Sequence, residues 1–508
     1  MARMRPRVAV AAPSRVSADA ALRAAELGGG AVDAAVAAML VAMVTEPGVV
    51  SLAGGAFVTV WPAGLDEAVT VDGYVAMPGL GRTADAPTPR QREIRTDYGG
   101  GLTMTAGHAS VAVPGALAAL DVAVSRWGRL PWGEVVSPAA DQAGDGFPLG
   151  SAAAYYLPFV RDSLFAWDAE TAAALRRPGG GWLEQGDRVV VAGLAETLGL
   201  VAEEGARTLY VGELAERLAR DMSERGGLVT REDLAAYQPV VRAALPVTAG
   251  GWSLRTNPPP AIGGVVLAAM LTLLARRPPG AWTPGELARL VEVQRRVLGV
   301  RRDVLDVADD REAAAMALLR DVGWQAPGPP STAHVSTVDA DGTACAITAS
   351  SGYGSGATVP GTGLWLNNCL GELELNRGTA LPAGARLRSN MAPTVGRRAD
   401  GAALAIGTPG ADRITTALLQ VLASFAHVGA SLQDAVDRPR LHVNHGVEGD
   451  TARIEAEEDL PLPHLDLPVS RHHAHSMYFG GVGAALRLGD GSLGAAADPR
   501  RAGVATAG

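Results

Sequence analysis

Thr332 is a residue whose hydroxyl could carry covalent chemistry if its setting supplies a base. A proline-stiffened break, residues 327–330, precedes it, and a stretch that alternates like a strand follows it. A threonine hydroxyl needs a base to act as a nucleophile. A free α-amine on the same residue has an ordinary pKa of about 7.7–8.0, which suits a general base near neutral pH. Thr332 therefore becomes equipped for catalysis if the chain is cut between Ser331 and Thr332; uncut, it is an ordinary strand threonine.

The residues around Thr332 predict a rigid hairpin. Residues 335–338 and 343–350 alternate in the manner of strands, and residues 339–342 read Asp-Ala-Asp-Gly, which favours a turn. Other elements are predicted on similar grounds: strands at 8–13 and 57–62, helices at 17–27, 31–44, 116–126 and 415–425, and a long surface loop at 82–107. Ser17 is the predicted N-cap of the first helix. This mixture predicts an α/β or α+β protein with helices covering sheet faces.

Composition excludes several classes of function. The net charge of the 508 residues is −9, and no block of like charges suggests a nucleic-acid partner. The longest apolar run, residues 34–44, is too short to span a bilayer, and the basic residues 1–7 precede no signal-peptide core. We therefore expect a soluble, cytoplasmic protein without a membrane partner. Cys345 and Cys369 fit reduced, buried thiols, although a pairing between them stays open.

Several short motifs, in their order and spacing, resemble the γ-glutamyltranspeptidase family of N-terminal nucleophile (Ntn) hydrolases. They run from Gly-Gly-Gly-Ala-Val-Asp-Ala-Ala at residues 28–35 to Asp-Pro-Arg-Arg at residues 498–501. Between these lie Val-Ala-Val-Pro-Gly at 111–115, Asn-Pro-Pro-Pro at 257–260 and Pro-Gly-Thr-Gly at 360–363. The resemblance implies an α+β fold, a four-layer αββα sandwich that forms one domain from two segments, 1–331 and 332–508.

The resemblance also implies a catalytic apparatus. Residues 332–336, Thr-Ala-His-Val-Ser, resemble the start of the family's small subunit, which makes Thr332 the nucleophile and Ser331–Thr332 the bond that is cut. Ser331 is the rival nucleophile. Ser350 stands where the family has a threonine that hydrogen-bonds the nucleophile. Gly410 and Ala411 stand at the oxyanion site, where backbone N–H groups stabilise the developing negative charge.

The substrate-binding positions match the family less well. Glu372 corresponds to an acidic residue that pairs with the substrate α-amino group, and Ser389 and Asn390 correspond to a Ser-Ser pair that holds the α-carboxylate. Tyr74 stands where the family has an arginine that clamps this carboxylate, and a phenol cannot form a bidentate, charge-assisted pair. Three arginines are candidate replacements: Arg82, Arg386 and Arg388.

The implied function is that of an autoprocessed γ-glutamyltransferase or hydrolase acting on γ-glutamyl amides such as glutathione. Water or an amino acid would resolve an acyl-enzyme on Thr332, and no cofactor or metal is implied. The two segments would stay together as an α/β heterodimer, whose further pairing is left open. A metal tract at residues 472–475, His-His-Ala-His, is the weaker interpretation. Tyr74 keeps open an amidase or acylase with a non-γ-glutamyl substrate. The departures at Tyr74, Asn390 and Ala411 together keep open a catalytically silent binding protein.

Overall fold

The computed structural model describes residues 7–83, 86–98, 101–322, 333–373, 375–376, 381–445 and 452–507. The strands within these residues are β1 (Val8–Ala12), β2 (Gly55–Trp61), β3 (Val69–Gly73), β4 (Arg92–Thr96), β5 (Leu102–Ala106), β6 (Phe147–Pro148), β7 (Arg188–Val189), β8 (Val240–Ala243), β9 (Leu245–Ala249), β10 (Trp252–Thr256), β11 (Ala333–Asp339), β12 (Ala344–Ser350), β13 (Thr358–Val359), β14 (Leu364–Trp365), β15 (Thr394–Arg398), β16 (Ala403–Gly407), β17 (Leu441–Asn444), β18 (Arg453–Glu457), β19 (Val469–His472), β20 (Gly483–Arg487), β21 (Leu493–Ala497) and β22 (Val504–Ala507).

The helices within the same residues are α1 (Arg15–Glu26), α2 (Ala31–Thr45), α3 (Ala116–Trp127), α4 (Trp132–Asp145), α5 (Ser151–Val160), α6 (Ala169–Ala174), α7 (Leu194–Glu204), α8 (Thr208–Val211), α9 (Glu213–Arg225), α10 (Arg231–Ala236), α11 (Gly263–Ala275), α12 (Pro284–Val300), α13 (Arg311–Asp321), α14 (Ile414–Ala423) and α15 (Leu432–Asp437). No helix in the described ranges combines the length and the apolar character needed to cross a bilayer.

Two antiparallel sheets lie at the centre of the fold. In the described part of the chain the first sheet has the order β22-β1-β11-β12-β2-β3-β8 and the second has the order β21-β20-β16-β15-β10-β9. The first sheet interleaves strands from both sides of position 332, since β11 lies between β1 and β12, and β12 pairs with β2. The two segments of the chain are therefore joined by backbone ladders, and neither contains this sheet by itself.

Side-chain size explains how the two sheets pack. The layer between them is built mainly of small residues, including Ala9, Ala346, Ala405 and Ala485. On its outer face, the first sheet packs against α2, which is buried along its whole length. On the outer face of the second sheet, α11, α12 and α14 form a separate apolar core. The predicted αββα sandwich of class α+β is confirmed. Small residues of the β11–β12 hairpin, such as Ala346, form part of the layer between its two sheets.

Most local predictions agree with the structure, and two are wrong. The residue that caps α1 is Ser14, whose side chain accepts a hydrogen bond from the Ser17 N–H, so Ser17 lies inside the helix. The predicted long loop at 82–107 contains the hairpin of β4 and β5. Its strands are exposed on one face and rich in Thr and Arg. In the sequence alone this composition is typical of a surface loop, because strand preference depends on packing that the sequence does not show. Cys345 and Cys369 are free, buried thiols, as expected.

Candidate functional site

The strand that follows the predicted nucleophile begins deep inside the protein. Ser331 and Thr332 lie outside the described residues, and β11 starts at Ala333, which pairs with Ala349. His334 is buried toward the second sheet, with Nδ1 2.9 Å from Thr348 Oγ1 and Nε2 2.6 Å from Ser336 Oγ. Burial lowers the pKa of His334 to about 3, so its ring is neutral and a poor base at pH 7. His334 therefore serves as a hydrogen-bonded wall of the site.

Ser350 is the last residue of β12, directly after the partner of Ala333. Its side chain is buried, and its Oγ accepts a hydrogen bond of 2.9 Å from the Gly352 N–H. This hydrogen bond from the Gly352 N–H holds the hydroxyl oxygen at the end of the strand. The hydroxyl proton takes no part in it, so the hydroxyl can still donate to another group. The hydroxyl predicted to support a nucleophile is thus held in place by the turn that follows the strand.

Gly410 and Ala411 form a strained turn before α14. Their φ angles are 141° and 51°, and Ala411 is one of the few residues other than glycine with a positive φ in the described ranges. A Cβ on Gly410 would lie 3.1 Å from Gly480 Cα. Left-handed backbone at an alanine costs about 1–3 kcal/mol and is typically kept at functional sites. Successive N–H groups in such a turn can form an anion-binding nest, as an oxyanion site requires.

These elements meet in a cleft, which we call the Ser350 cleft. Ser350, Glu372, Gly410 and Ala411 are among the residues that line it. The other lining residues are Gly48, Val49, Tyr98, Ala152, Tyr156, Gly352, Tyr353, Arg413 and Arg501. A neighbouring cavity, the Ala333 cavity, is lined by Ala333 and His334 and shares Val49, Ala152 and Arg501 with the cleft. Four of the predicted site residues therefore converge beside the start of β11.

Tyr74 is packed into the interior near Glu372. Its ring stacks on Phe57 with centroids 5.7 Å apart, and its hydroxyl lies close to Ser389 and Cys369. Burial raises the pKa of Tyr74 well above its usual value, and the proximity of Cys369 and Glu372 adds to this shift. Tyr74 is therefore neutral at any physiological pH and offers no positive charge to a carboxylate.

Ser389 and Asn390 are buried beside α11. The Ser389 carbonyl accepts a hydrogen bond of 3.4 Å from the Ile262 N–H, and a Cβ on Gly263 would lie 2.9 Å from the Asn390 carbonyl oxygen. Neither residue is among those that line the Ser350 cleft. Ser389 thus lies close to Tyr74, and neither residue lines the cleft.

The three arginines considered as replacements for the clamp are engaged elsewhere. Arg82 donates hydrogen bonds to the Gly227 and Pro87 carbonyls. Arg386 Nε lies 3.5 Å from Asp72, and its guanidinium stacks on a tyrosine ring. Arg388 is buried and donates to the Leu375 carbonyl. None of the three lines the Ser350 cleft.

Sequence reasoning missed three charged residues of the site: Arg413, Arg501 and Glu46. Arg413 pairs with Asp412 and lies over the Tyr478 ring. Arg501 lines both the Ser350 cleft and the Ala333 cavity, and Glu46 lines the latter. The only sequence signal was the arginine doublet at 500–501, and nothing in it distinguishes a structural arginine from one that faces a cavity.

Glu46 is a buried carboxyl group at the end of α2. Burial raises its pKa from 4.5 to about 7, against the opposing effects of the Ala153 N–H and the Arg501 charge. Between pH 4.5 and 7 the folded protein therefore binds more protons at Glu46 than the unfolded chain, and this contribution to stability is lost as pH rises through 7.

We therefore expect Glu46→Gln to remove part of the pH dependence of stability. The wild type should lose about 3 kcal/mol of its free energy of unfolding between pH 4.5 and pH 8 through Glu46, since one pKa unit corresponds to about 1.4 kcal/mol. The variant lacks this loss, so its free energy of unfolding should rise by about that amount relative to the wild type over the same pH range. Urea unfolding of both proteins at the two pH values measures this difference. A gap between the proteins that is the same at both pH values would contradict the buried, titrating carboxyl.

Comparisons with known proteins agree with this architecture. The family model for Gamma-glutamyltranspeptidase matches residues 17–508. An acylase ACY 1 proenzyme of Pseudomonas sp. strain SE83 is 31% identical over 92% of this chain and 88% of its own length. The glutathione hydrolase proenzyme of Escherichia coli strain K12 is 28% identical over 95% of this chain and 88% of its own length.

A solved structure supports the fold. The cephalosporin acylase from Bacillus halodurans superimposes with a TM-score of 0.80 at 23% identity, covering 99% of this chain and 96% of that one. The fold is therefore that of the Ntn hydrolases. The chain belongs to the γ-glutamyltranspeptidase family, whose relatives include proteins named as glutathione hydrolases and as acylases.

Proposed function

We propose that the protein is an autoprocessed amide hydrolase of the acylase type, with Thr332 as its nucleophile. The observation that carries the proposal is the convergence of Ser350 and the Gly410–Ala411 turn beside the first residue of β11. Consecutive Cα atoms are about 3.8 Å apart, so position 332 cannot be far from the pair of Ala333 and Ala349. The proposal requires the Thr332 hydroxyl to reach both groups.

The proposed processing step uses the same hydroxyl as catalysis. The Thr332 Oγ attacks the Ser331 carbonyl, the Ser331–Thr332 peptide bond breaks, and an ester forms with release of the α-amine. Water then hydrolyses the ester, which leaves a Ser331 carboxylate and a free Thr332 hydroxyl. The products are segments 1–331 and 332–508, held together as a heterodimer by the interleaved strands of the first sheet.

In the proposed catalytic cycle, the Thr332 α-amine accepts the proton of the hydroxyl as it attacks the substrate carbonyl. The negative oxygen of the tetrahedral intermediate faces the Gly410–Ala411 turn, whose N–H groups stabilise it. The ammonium returns the proton to the leaving amine, and an acyl ester remains on Thr332. Water or an acceptor amine resolves this ester by the reverse sequence of proton transfers.

Charge at the site favours an acyl group other than γ-glutamyl. The buried, neutral Tyr74 cannot clamp an α-carboxylate, and none of the three candidate arginines lines the cleft. A γ-glutamyl hydrolase is the second candidate, because Glu372 keeps a carboxyl group in the cleft wall for a substrate α-amino group.

A comparison of chromogenic substrates separates the two candidates. We expect the processed protein to hydrolyse simple acyl 4-nitroanilides with a kcat/KM at least tenfold above that for γ-glutamyl-4-nitroanilide, because burying the γ-glutamyl α-carboxylate without a cationic partner costs about 1–3 kcal/mol or more. A faster reaction with the γ-glutamyl compound would overturn the acylase assignment and leave the mechanism intact. A cut protein that hydrolyses neither compound would favour the silent binding protein.

A further inference from the structure

An aromatic cluster surrounds Tyr98, a residue that lines the Ser350 cleft. The centroid of its ring lies 4.8 Å from that of Tyr156 and 6.3 Å from that of Tyr353, and both of these residues also line the cleft. Two further rings, Tyr155 at 6.1 Å and Phe159 at 5.7 Å, do not line the cleft and are 45% and 38% exposed. The three cleft residues, Tyr98, Tyr156 and Tyr353, are called the tyrosine wall below.

Hydrogen bonds hold Tyr98 in place just after the end of β4. The Thr96 hydroxyl donates to the Phe159 carbonyl at 3.0 Å and accepts the Tyr98 N–H at 3.2 Å. The β4–β5 hairpin is thereby joined to α5, the helix that carries Tyr155, Tyr156 and Phe159. Tyr98 therefore has a defined position in the cleft wall, fixed by its own backbone and by the rings around it.

The surface of the cleft around Tyr156 is apolar. The Tyr156 hydroxyl donates to the Tyr353 carbonyl at 2.9 Å, and burial raises the pKa of Tyr156 well above its usual value. Because its proton is used in this bond, Tyr156 contributes a neutral ring to the cleft. Gly48, where an added Cβ would lie 3.5 Å from the Tyr156 ring, lines the cleft beside it, and so do Val49 and Ala152. None of these three side chains has a polar atom.

The ring contacts of Tyr98 leave one favourable aromatic geometry unused. All four are edge-to-face, with interplanar angles from 61° to 76°. Aromatic rings also attract one another in an offset-stacked arrangement, and Tyr98 makes no such contact within the described ranges. Tyr98 is only half-buried, so part of its apolar surface still faces water in the cleft. A flat aromatic ligand would cover this surface and supply the missing contact.

We propose that the tyrosine wall binds an aromatic ring carried by the amide substrate, so that the enzyme prefers aryl amides to saturated amides of the same size. This inference rests on the proposed amide hydrolysis, and it names the class of substrate. Ser350 and the Gly410–Ala411 turn line the same cleft, so a ring on this wall lies in the same cleft as the groups proposed for the chemistry. A neutral ring needs no cationic partner, which agrees with the expected preference for simple acyl groups over γ-glutamyl.

The test uses two matched pairs of amides, with the released acid measured by chromatography. Phenylacetamide and cyclohexylacetamide differ only in the ring of the acyl group. N-benzylacetamide and N-(cyclohexylmethyl)acetamide differ only in the ring of the leaving amine. For one pair, the ratio of kcat/KM between the aromatic and the saturated member should fall by about 2- to 12-fold in Tyr98→Leu, the advantage of one aromatic contact beyond its buried area. The pair that responds shows whether the acyl group or the leaving amine lies on the wall.

Two variants control for structural damage. Tyr98→Phe keeps the ring and should keep the wild-type ratio. Phe425 is likewise half-buried but lies outside the cleft, with its ring centroid 5.7 Å from that of Trp252. Phe425→Leu should therefore leave the ratio unchanged. The proposal would be overturned if Tyr98→Leu changed neither ratio, or if Phe425→Leu lowered a ratio as much as Tyr98→Leu does.

Binding without turnover separates this inference from the proposed function. At least one of the two aromatic amides should raise the melting temperature of the wild type more than its saturated counterpart does, and Tyr98→Leu should abolish the difference. This difference without any turnover would sink the amide hydrolase and keep the aromatic site. Turnover with ratios that do not depend on Tyr98 would keep the hydrolase and sink the site, and the absence of both effects would overturn both.

Discussion

Thr332→Ala is expected to leave the protein as one uncut chain without amidase activity. The substitution removes the hydroxyl that would attack first the Ser331 carbonyl and then the substrate. Loss of a hydroxyl nucleophile costs on the order of 10⁴–10⁶-fold in kcat. A denaturing gel should show two fragments for the wild type, the smaller with the N-terminal sequence Thr-Ala-His-Val, and a single band for the variant.

Two further substitutions control for this result. Thr332→Ser keeps a hydroxyl and an α-amine, so it should still be cut and active at a reduced rate. Thr337 lies five residues further on, and its Oγ1 donates to the Ala31 carbonyl at 2.7 Å, on the face covered by α2. Thr337→Val keeps the side-chain shape and should be cut like the wild type. A wild type that remains one band after long incubation, or a Thr332→Ala protein that is cut at the normal rate, would refute the nucleophile.

Gly410→Ala is expected to lower kcat by about 10²–10³-fold in the processed protein. At a φ of 141° an L-residue is strained, and the new Cβ would lie 3.1 Å from Gly480 Cα, so the turn must shift. Loss of one oxyanion donor typically costs 10²–10³-fold in rate. The measurement is kcat for a neutral acyl anilide, with a gel to show that the chain has been cut.

Gly429 provides a matched control for backbone strain. Its φ is 79°, an added Cβ would meet nothing within 4 Å, and it does not line the Ser350 cleft. Gly429→Ala should therefore cost about 1 kcal/mol in stability and leave kcat unchanged. Ala411→Gly relieves the left-handed alanine and keeps the N–H, so kcat should stay within about threefold. A Gly410→Ala protein with wild-type kcat would exclude this turn as the oxyanion site.

Local sequence signals were sufficient to predict many of the helices and strands. The hairpin of β11 and β12 was predicted from alternation around an Asp-Ala-Asp-Gly turn, and the buried helix α2 from its continuous apolar run. The capping residue of α1 was misplaced because Ser14 and Ser17 are both good caps, and only the path of the chain after β1 decides between them. The β4–β5 hairpin was missed because its exposed strands carry little apolar alternation.

The sequence by itself indicated the type of chemistry that we propose, because short motifs in their order and spacing resemble the γ-glutamyltranspeptidase family. That resemblance pointed to Thr332 and to residues 410–411, whereas the positive φ angles of the turn are visible only in the structure. Only the tertiary structure decided what surrounds that chemistry. In the structure the Tyr74 ring is buried and neutral, and Arg386 forms an ion pair with Asp72.

The charge of the cleft is likewise a tertiary property. Glu46 and Arg501 lie near opposite ends of the chain and come together because β22 pairs with β1, close to the end of α2. Arg500 and Arg501 are adjacent and chemically identical, yet one is saturated by buried carboxylates and the other faces the cavities. The direction of each side chain depends on packing between distant segments. It therefore cannot be predicted from the pattern of neighbouring residues.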